Sequence, residues 1–186
     1  MKRRKLLQWS AGGLVSGLLG LRRALAAPPA DAAALAQLRS NWQALRAAGT
    51  AVIEARPALK RSADEWRAQL PAAAYGVLFE ENTERPFSSD LNTEKRDGLF
   101  VCRACALPLF TSSMKYDSGT GWPSFFTSIE GHLASKRDFA LIWPRTEYHC
   151  VKCGGHQGHM FDDGPAPSGQ RWCNNGVALS FIPFAT

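Results

Sequence analysis

The chain has 186 residues, with 22 Lys+Arg against 16 Asp+Glu and a formal charge of +6. Six of the basic residues and none of the acidic ones fall within residues 1–26, so the remainder carries 16 of each sign and a charge near zero. The high isoelectric point therefore belongs to the N-terminal end and gives no support for a nucleic-acid partner, while the remaining ~160 residues suffice for one domain with a genuine core.

The first residues read as an export signal. Lys2, Arg3, Arg4 and Lys5 precede an uncharged stretch, Leu6 to Leu21. That stretch is short for a membrane span, which takes about 20 strongly apolar residues. Arg22 and Arg23 close it, and Ala24-Leu25-Ala26 offers a small-x-small site for cutting after Ala26 or Ala27. The Arg3-Arg4-Lys5-Leu6-Leu7 start is similar to a twin-arginine signal. The expectation is a periplasmic protein that keeps no membrane insertion once residues 1–26 are removed. An ordinary secretory signal or an uncleaved anchor is the alternative.

Residues 27–61 form an Ala-rich helical or linker segment. Leu35, Leu38, Trp42 and Leu45 recur at helical spacing, and Gly49 is a plausible stop. The segment reads either as a small helix packed on the domain or as a semi-rigid spacer. Residues 62–186 make the main domain. Ser62-Ala-Asp-Glu65 has the form of a capping box, followed by Trp66 and Leu70 on one face. Pro71 then begins a short helix carrying Tyr75, Leu78 and Phe79. From about Leu99 the texture changes. Leu99–Val101, Phe139–Trp143 and Val177–Ile182 are short apolar runs separated by turns rich in Gly, Asp, Ser and Pro, the pattern of an antiparallel β domain.

Four of the five cysteines fall into two pairs, Cys102-Arg-Ala-Cys105 and Cys150-Val-Lys-Cys153. Two such pairs can present four thiolates to one Zn²⁺ in a closed structural site, with two β-hairpin tips brought together by the fold. Disulfides, or a thioredoxin-like redox motif, are the rival readings in an oxidising compartment. Duplication favours metal, because a redox domain needs one pair and a strand–helix context.

Cys173 is left alone. Its neighbours Arg171 and Asn175 are each two residues away and so potentially on its strand face, where one can supply positive charge and the other a hydrogen bond. His156 and His159 can add charge or deliver a proton. Positions three apart on a strand face opposite sides, so a turn at Gly158 is expected to bring the two imidazoles together. Asp162 and Asp163 are expected to make the turn before Gly164-Pro165. In Gly119-Thr-Gly121-Trp122-Pro-Ser-Phe125-Phe126 the glycines are too few for a nucleotide fingerprint. They are read as holding Trp122 and the two phenylalanines in a rigid turn, with Trp122 and Phe125 as candidate substrate contacts for an apolar methyl–sulfur group. Plain core packing is the alternative for these rings, as is a buried inert thiol for Cys173.

Thr83-Glu-Arg-Pro-Phe87, Ser118 to Phe125, Arg145-Thr-Glu147 and Arg171-Trp-Cys-Asn-Asn175 together resemble the B-type peptide methionine sulfoxide reductases, over about Ser62 to Pro183. The resemblance implies two antiparallel β-sheets with a few short flanking N-terminal helices, a structural zinc held away from the active site, and a monomer. It implies reduction of methionine-R-sulfoxide in oxidised peptides and proteins. Cys173 would be the nucleophile, a histidine of the pair His156 and His159 the acid, Trp122 the methyl-group wall, and Asn175 and Arg171 the polarising groups. The chain departs from the family's usual residues at Trp172, Asn174, Gln157 and Gly176. It also has Thr120 where many members carry a second, resolving cysteine. With four cysteines on zinc, none is left to condense with a sulfenic acid on Cys173, and a thioredoxin-like or small-thiol reductant is implied. A zinc-stabilised β binding module resembling chaperone-like proteins, and a periplasmic thiol–disulfide exchanger, are the competing functions.

Overall fold

The computed structural model describes residues 30–45, 53–138 and 145–184. The export signal, Gly49 and the Phe139–Trp143 run lie outside these residues. Among the described residues three α-helices precede the sheets: α1 (Ala30–Ser40), α2 (Ala63–Gln69) and α3 (Ala72–Glu80). Among the described residues no helix is long and apolar enough to cross a membrane.

The expected capping box is present at the start of α2. Ser62 Oγ accepts from the Glu65 amide at 3.3 Å, and Glu65 Oε2 accepts from the Ser62 amide at 2.7 Å. Each satisfies a donor that the first turn leaves free. Trp66 from α2 then stacks on Phe79 of α3 at 5.1 Å, and Pro71 sits at the N-cap of α3 as expected. The segment before α2 is fastened to the domain and is not a free spacer. Trp42 is buried edge-on against His132, Arg39 Nε donates to the Ser128 carbonyl, and the Leu59 amide donates to the Lys152 carbonyl.

Nine strands follow among the described residues: β1 (Gly98–Cys102), β2 (Pro108–Thr111), β3 (Lys115–Tyr116), β4 (Ser124–Phe125), β5 (Leu133–Asp138), β6 (Arg145–Cys150), β7 (His156–Phe161), β8 (Arg171–Asn174) and β9 (Leu179–Pro183). They make two antiparallel sheets, β2-β1-β9 and β3-β4-β8-β7-β6-β5. This is the mainly β architecture expected. The residues of β1 are buried on both faces, and Phe100 meets Phe125 of the larger sheet at 5.0 Å. Phe110 and Phe125 stack at 3.9 Å, and Tyr148 lies edge-on to Phe110 and Trp172. These rings join the sheets, since each large aromatic removes 150–250 Å² from water when buried. Helix α3 covers β7 and the turn at 176–178 with Ala74, Tyr75, Val77 and Leu78.

Candidate active site

Two hairpin tips, one from each sheet, build the cysteine cluster. Cys102 ends β1 and Cys105 lies in the turn to β2, while Cys150 ends β6 and Cys153 lies in the turn to β7. The two tips repeat one geometry. The Cys102 carbonyl accepts from the Ala106 amide and the Cys150 carbonyl from the Gly154 amide, and both Ala106 (φ 59°) and Gly154 (φ 76°) are left-handed. Cys102 Sγ and Cys153 Sγ are 3.6 Å apart, Cys105 Sγ and Cys150 Sγ 3.5 Å, and all four sulfurs lie within 4.8 Å of one another. A tetrahedral Zn–S₄ unit with bonds of about 2.3 Å needs sulfurs roughly 3.8 Å apart. The four residues therefore fit a zinc ion, and all five cysteines are free of disulfides.

Cys173 lies in the middle of the larger sheet, opposite Ser124 of β4 on one side and His159 of β7 on the other. A cavity of about 120 Å³ opens beside it, lined by Thr83, Trp122, Arg145, His159, Phe161 and Asn175 among others. His159 Nε2 is 2.9 Å from Asp138 Oδ2, and Arg145 donates to the same oxygen at 2.7 Å. Burial lowers the His159 pKa, partly offset by the bond to Asp138. The buried Arg145 Nε has no partner of its own.

The two histidines do come together, by a route different from the expected one. Gly158 is not a turn: both imidazoles belong to β7. A β-bulge interrupts the β6–β7 register between Tyr148↔Gly158 and His149↔His156, so Gln157 is the extra residue. One inserted residue flips the side-chain alternation, and the rings meet at 5.4 Å. Gly158 instead permits close strand approach, because a Cβ there would lie 2.0 Å from the Cys173 carbonyl oxygen. His159 faces the cavity. His156 sits behind it, buried, with Nδ1 2.9 Å from Glu147 Oε1 and Nε2 without a partner.

The remaining candidates separate. Trp122 lines the cavity with its indole N–H donating to the Glu84 carbonyl. Phe125 is fully buried and stacked on Phe110, so its ring belongs to the core and not to the cavity wall. Asn175 lines the cavity, but its amide is engaged elsewhere: Nδ2 donates to the Gln157 carbonyl and Oδ1 accepts from the Glu84 amide. Arg171 is held in a two-pronged pair with Asp163, both contacts 2.8 Å, over the Phe161 ring. Asp163 is thus more than the turn residue it was expected to be. Burial pushes the Cys173 thiol up, and the Arg171 charge together with a Thr120 hydroxyl hydrogen bond offsets part of that rise. Thr120 consequently stands beside the Cys173 sulfur.

Several residues of the site had no role assigned from sequence. Glu84 accepts from the Gly176 and Val177 amides, fixing the turn after Cys173, and Glu147 holds His156. Both lie in motifs that carried the resemblance, which was the available signal. Asp138 and Phe161 had none.

Similarity to known proteins bears on the same residues. The SelR domain family model matches residues 70–183. A peptide methionine sulfoxide reductase MsrB of Methanosarcina barkeri is 44% identical over 128 residues, 68% of this chain and 90% of its own length. The MsrB of Pseudomonas entomophila is 47% identical over 126 residues, covering 67% and 96%. That of Bradyrhizobium diazoefficiens is 46% identical over 124 residues, covering 66% and 89%. The matched span contains both sheets, the cysteine cluster and every residue of the Cys173 cavity, so the chain belongs to the SelR-domain family, among the peptide methionine sulfoxide reductases of the MsrB type.

Proposed function

We propose that the chain reduces peptide and protein methionine-R-sulfoxide with Cys173 as its one redox-active cysteine. The observation that carries this reading is Cys173 set directly across from His159, in a cavity walled by the Trp122 indole. An apolar methyl–sulfur group suits that wall, while His159 and Arg145 make another part of it polar, suited to the sulfoxide oxygen.

The chemistry follows from the two titrating groups. Burial favours a neutral thiol on Cys173 and a neutral imidazole on His159. On attack, the Cys173 sulfur bonds to the sulfoxide sulfur, and the thiol proton passes through His159 to the oxygen. The oxygen ends on Cys173 as a sulfenic acid, methionine leaves, and the cysteine is oxidised by two electrons. His156 and Glu147, behind the cavity, position the His159 ring. One external thiol then condenses with the sulfenic acid, releasing water, and a second thiol frees Cys173 as the reductant becomes a disulfide. Cys102, Cys105, Cys150 and Cys153 would hold Zn²⁺, which when bound would supply folding stability. The basic start and small-x-small site support export to the periplasm with residues 1–26 removed.

The test presents the R and S epimers of a methionine sulfoxide peptide to the chain and to Cys173→Ser, with dithiothreitol. Turnover of the R epimer alone, abolished in the variant, is expected; no turnover of either epimer ends the reading. After one equivalent of substrate without reductant, mass spectrometry should find a sulfenic acid on Cys173 in the wild type. Thr120→Cys should instead yield an intramolecular disulfide. A disulfide in the wild type would overturn the one-cysteine cycle.

A further inference from the structure

Gln157, the bulge residue, is fully buried, yet it makes polar contacts that the reaction does not use. Its Nε2 donates to Cys102 Sγ at 3.4 Å, and its Oε1 accepts from Asn174 Nδ2 at 3.3 Å. Asn174 is fully buried as well, and its Oδ1 accepts from the Tyr148 hydroxyl at 3.0 Å. The Gln157 carbonyl accepts from the Asn175 backbone N–H at 2.8 Å and from Asn175 Nδ2 at 3.1 Å. One residue therefore grips a cysteine of the cluster with its donor. With its two acceptors it holds the two residues that follow Cys173.

Leaving a buried amide group unpaired is costly, so such a network is stable only when all its members are in place. Gln157 and Asn174 are two of this chain's departures from the pattern it resembles, and the Asn174 amide N–H supplies the donor that the Gln157 amide oxygen needs.

We propose that Gln157 is a positioning residue that couples the tetracysteine centre to the strand carrying Cys173. A metal-bound thiolate is a stronger acceptor than a thiol. A loaded centre thus fixes the Gln157 amide, Gln157 fixes Asn174 and Asn175, and the chain leaving Cys173 is held in one geometry. The proposal rests on Cys102 being a metal ligand and Cys173 the nucleophile. Metal content and the Cys173→Ser assay establish those two points on their own, before any Gln157 variant is compared.

The test uses the zinc-loaded chain and its Gln157→Leu, Asn174→Leu and double variants, each first checked for cooperative thermal unfolding. Three readouts are taken: the rate of zinc transfer to a chromogenic chelator, the rate of Cys173 alkylation by iodoacetamide, and kcat and KM separately. Gln157→Leu should speed zinc release about 10–100-fold, the usual effect of losing a group that orients a metal ligand. It should also slow alkylation by about threefold or more, as for coupling through a packed network, and lower kcat with little change in KM. Asn174→Leu should reproduce the alkylation change while zinc release stays near wild type. The double variant should match Gln157→Leu, because the same connection is cut twice. Unchanged zinc release in Gln157→Leu would overturn the proposal. So would alkylation effects that multiply in the double variant. If Gln157→Leu alone fails to fold with the Asn174 amide orphaned, the double variant, apolar at both positions, carries the same comparison.

Discussion

At Cys173 burial pushes the thiol up, and the Arg171 guanidinium and Thr120 hydroxyl push it back only in part. Arg171 is itself compromised by Asp163, whose carboxylate it holds below the usual range and whose charge works against the thiolate. The two residues should therefore have opposite effects on the free protein. The pH profile of Cys173 alkylation should have its midpoint above the ordinary thiol value. Arg171→Gln should move it further up and slow alkylation at neutral pH roughly tenfold, the worth of one charge-assisted hydrogen bond of about 1.5 kcal/mol. Asp163→Asn should move it down. Shifts in the same direction for both variants would contradict this account. The sign for stability is equally definite. A raised thiol pKa favours the protonated folded state, so its contribution is present below the ordinary thiol value and lost as pH rises through the folded value. For His159 the shift is downward, so its contribution is kept above the ordinary histidine value and lost as pH falls. The contributions of these two groups are thus both fully present only between the ordinary histidine and thiol values, roughly pH 6.5 to 8.5.

Strands β7 and β8 show what a single missing side chain permits. A Cβ at Gly158 would meet the Cys173 carbonyl oxygen at 2.0 Å and its carbonyl carbon at 3.0 Å, so the strands could not keep their spacing. Gly158→Ala should cost about 1–3 kcal/mol, as forced overpacking does, and lower kcat/KM roughly 100-fold because Cys173 and His159 shift relative to each other. Wild-type kcat/KM in a folded Gly158→Ala would refute the close-approach argument. Strand β7 also marks where sequence reasoning stopped. The cysteine pairs, the capping box at Ser62 and the helix start at Pro71 were legible because each depends on residue types at fixed short offsets. The bulge was not, because it depends on how β7 registers with β6, and simple alternation placed His156 and His159 on opposite faces. Phe125 was misassigned for a related reason. Adjacent aromatics in a turn motif do not reveal which ring faces inward until Phe110 of the other sheet is in place. Asp138 reaches His159 from a strand 21 residues away in sequence, a pairing no local pattern announces.

Seen across the whole molecule, the tetracysteine centre is a clasp between the two sheets. Cys102 and Cys105 cap the β1–β2 hairpin of the three-stranded sheet, and Cys150 and Cys153 cap the β6–β7 hairpin of the six-stranded one. The same β7 carries His156 and His159 a few residues on, so loosening the clasp disturbs the site without touching a reacting group. An ion that binds only the folded chain stabilises it by about 4 kcal/mol at a thousandfold excess over its dissociation constant. For a domain of this size each kcal/mol is worth roughly 2–4 °C in Tm. Stripping the metal with a strong chelator at neutral pH should therefore lower Tm by about 10 °C or more, with both sheets lost in one transition followed by circular dichroism. Cys105→Ser should show the same loss without chelator. Cys173→Ser should keep full metal content and a nearly wild-type Tm, because its sulfur lies outside the cluster. An unchanged Tm on complete metal removal would mean that the aromatic packing of Phe100, Phe110 and Phe125 holds the sheets together unaided, and that the four sulfurs are dispensable to the fold.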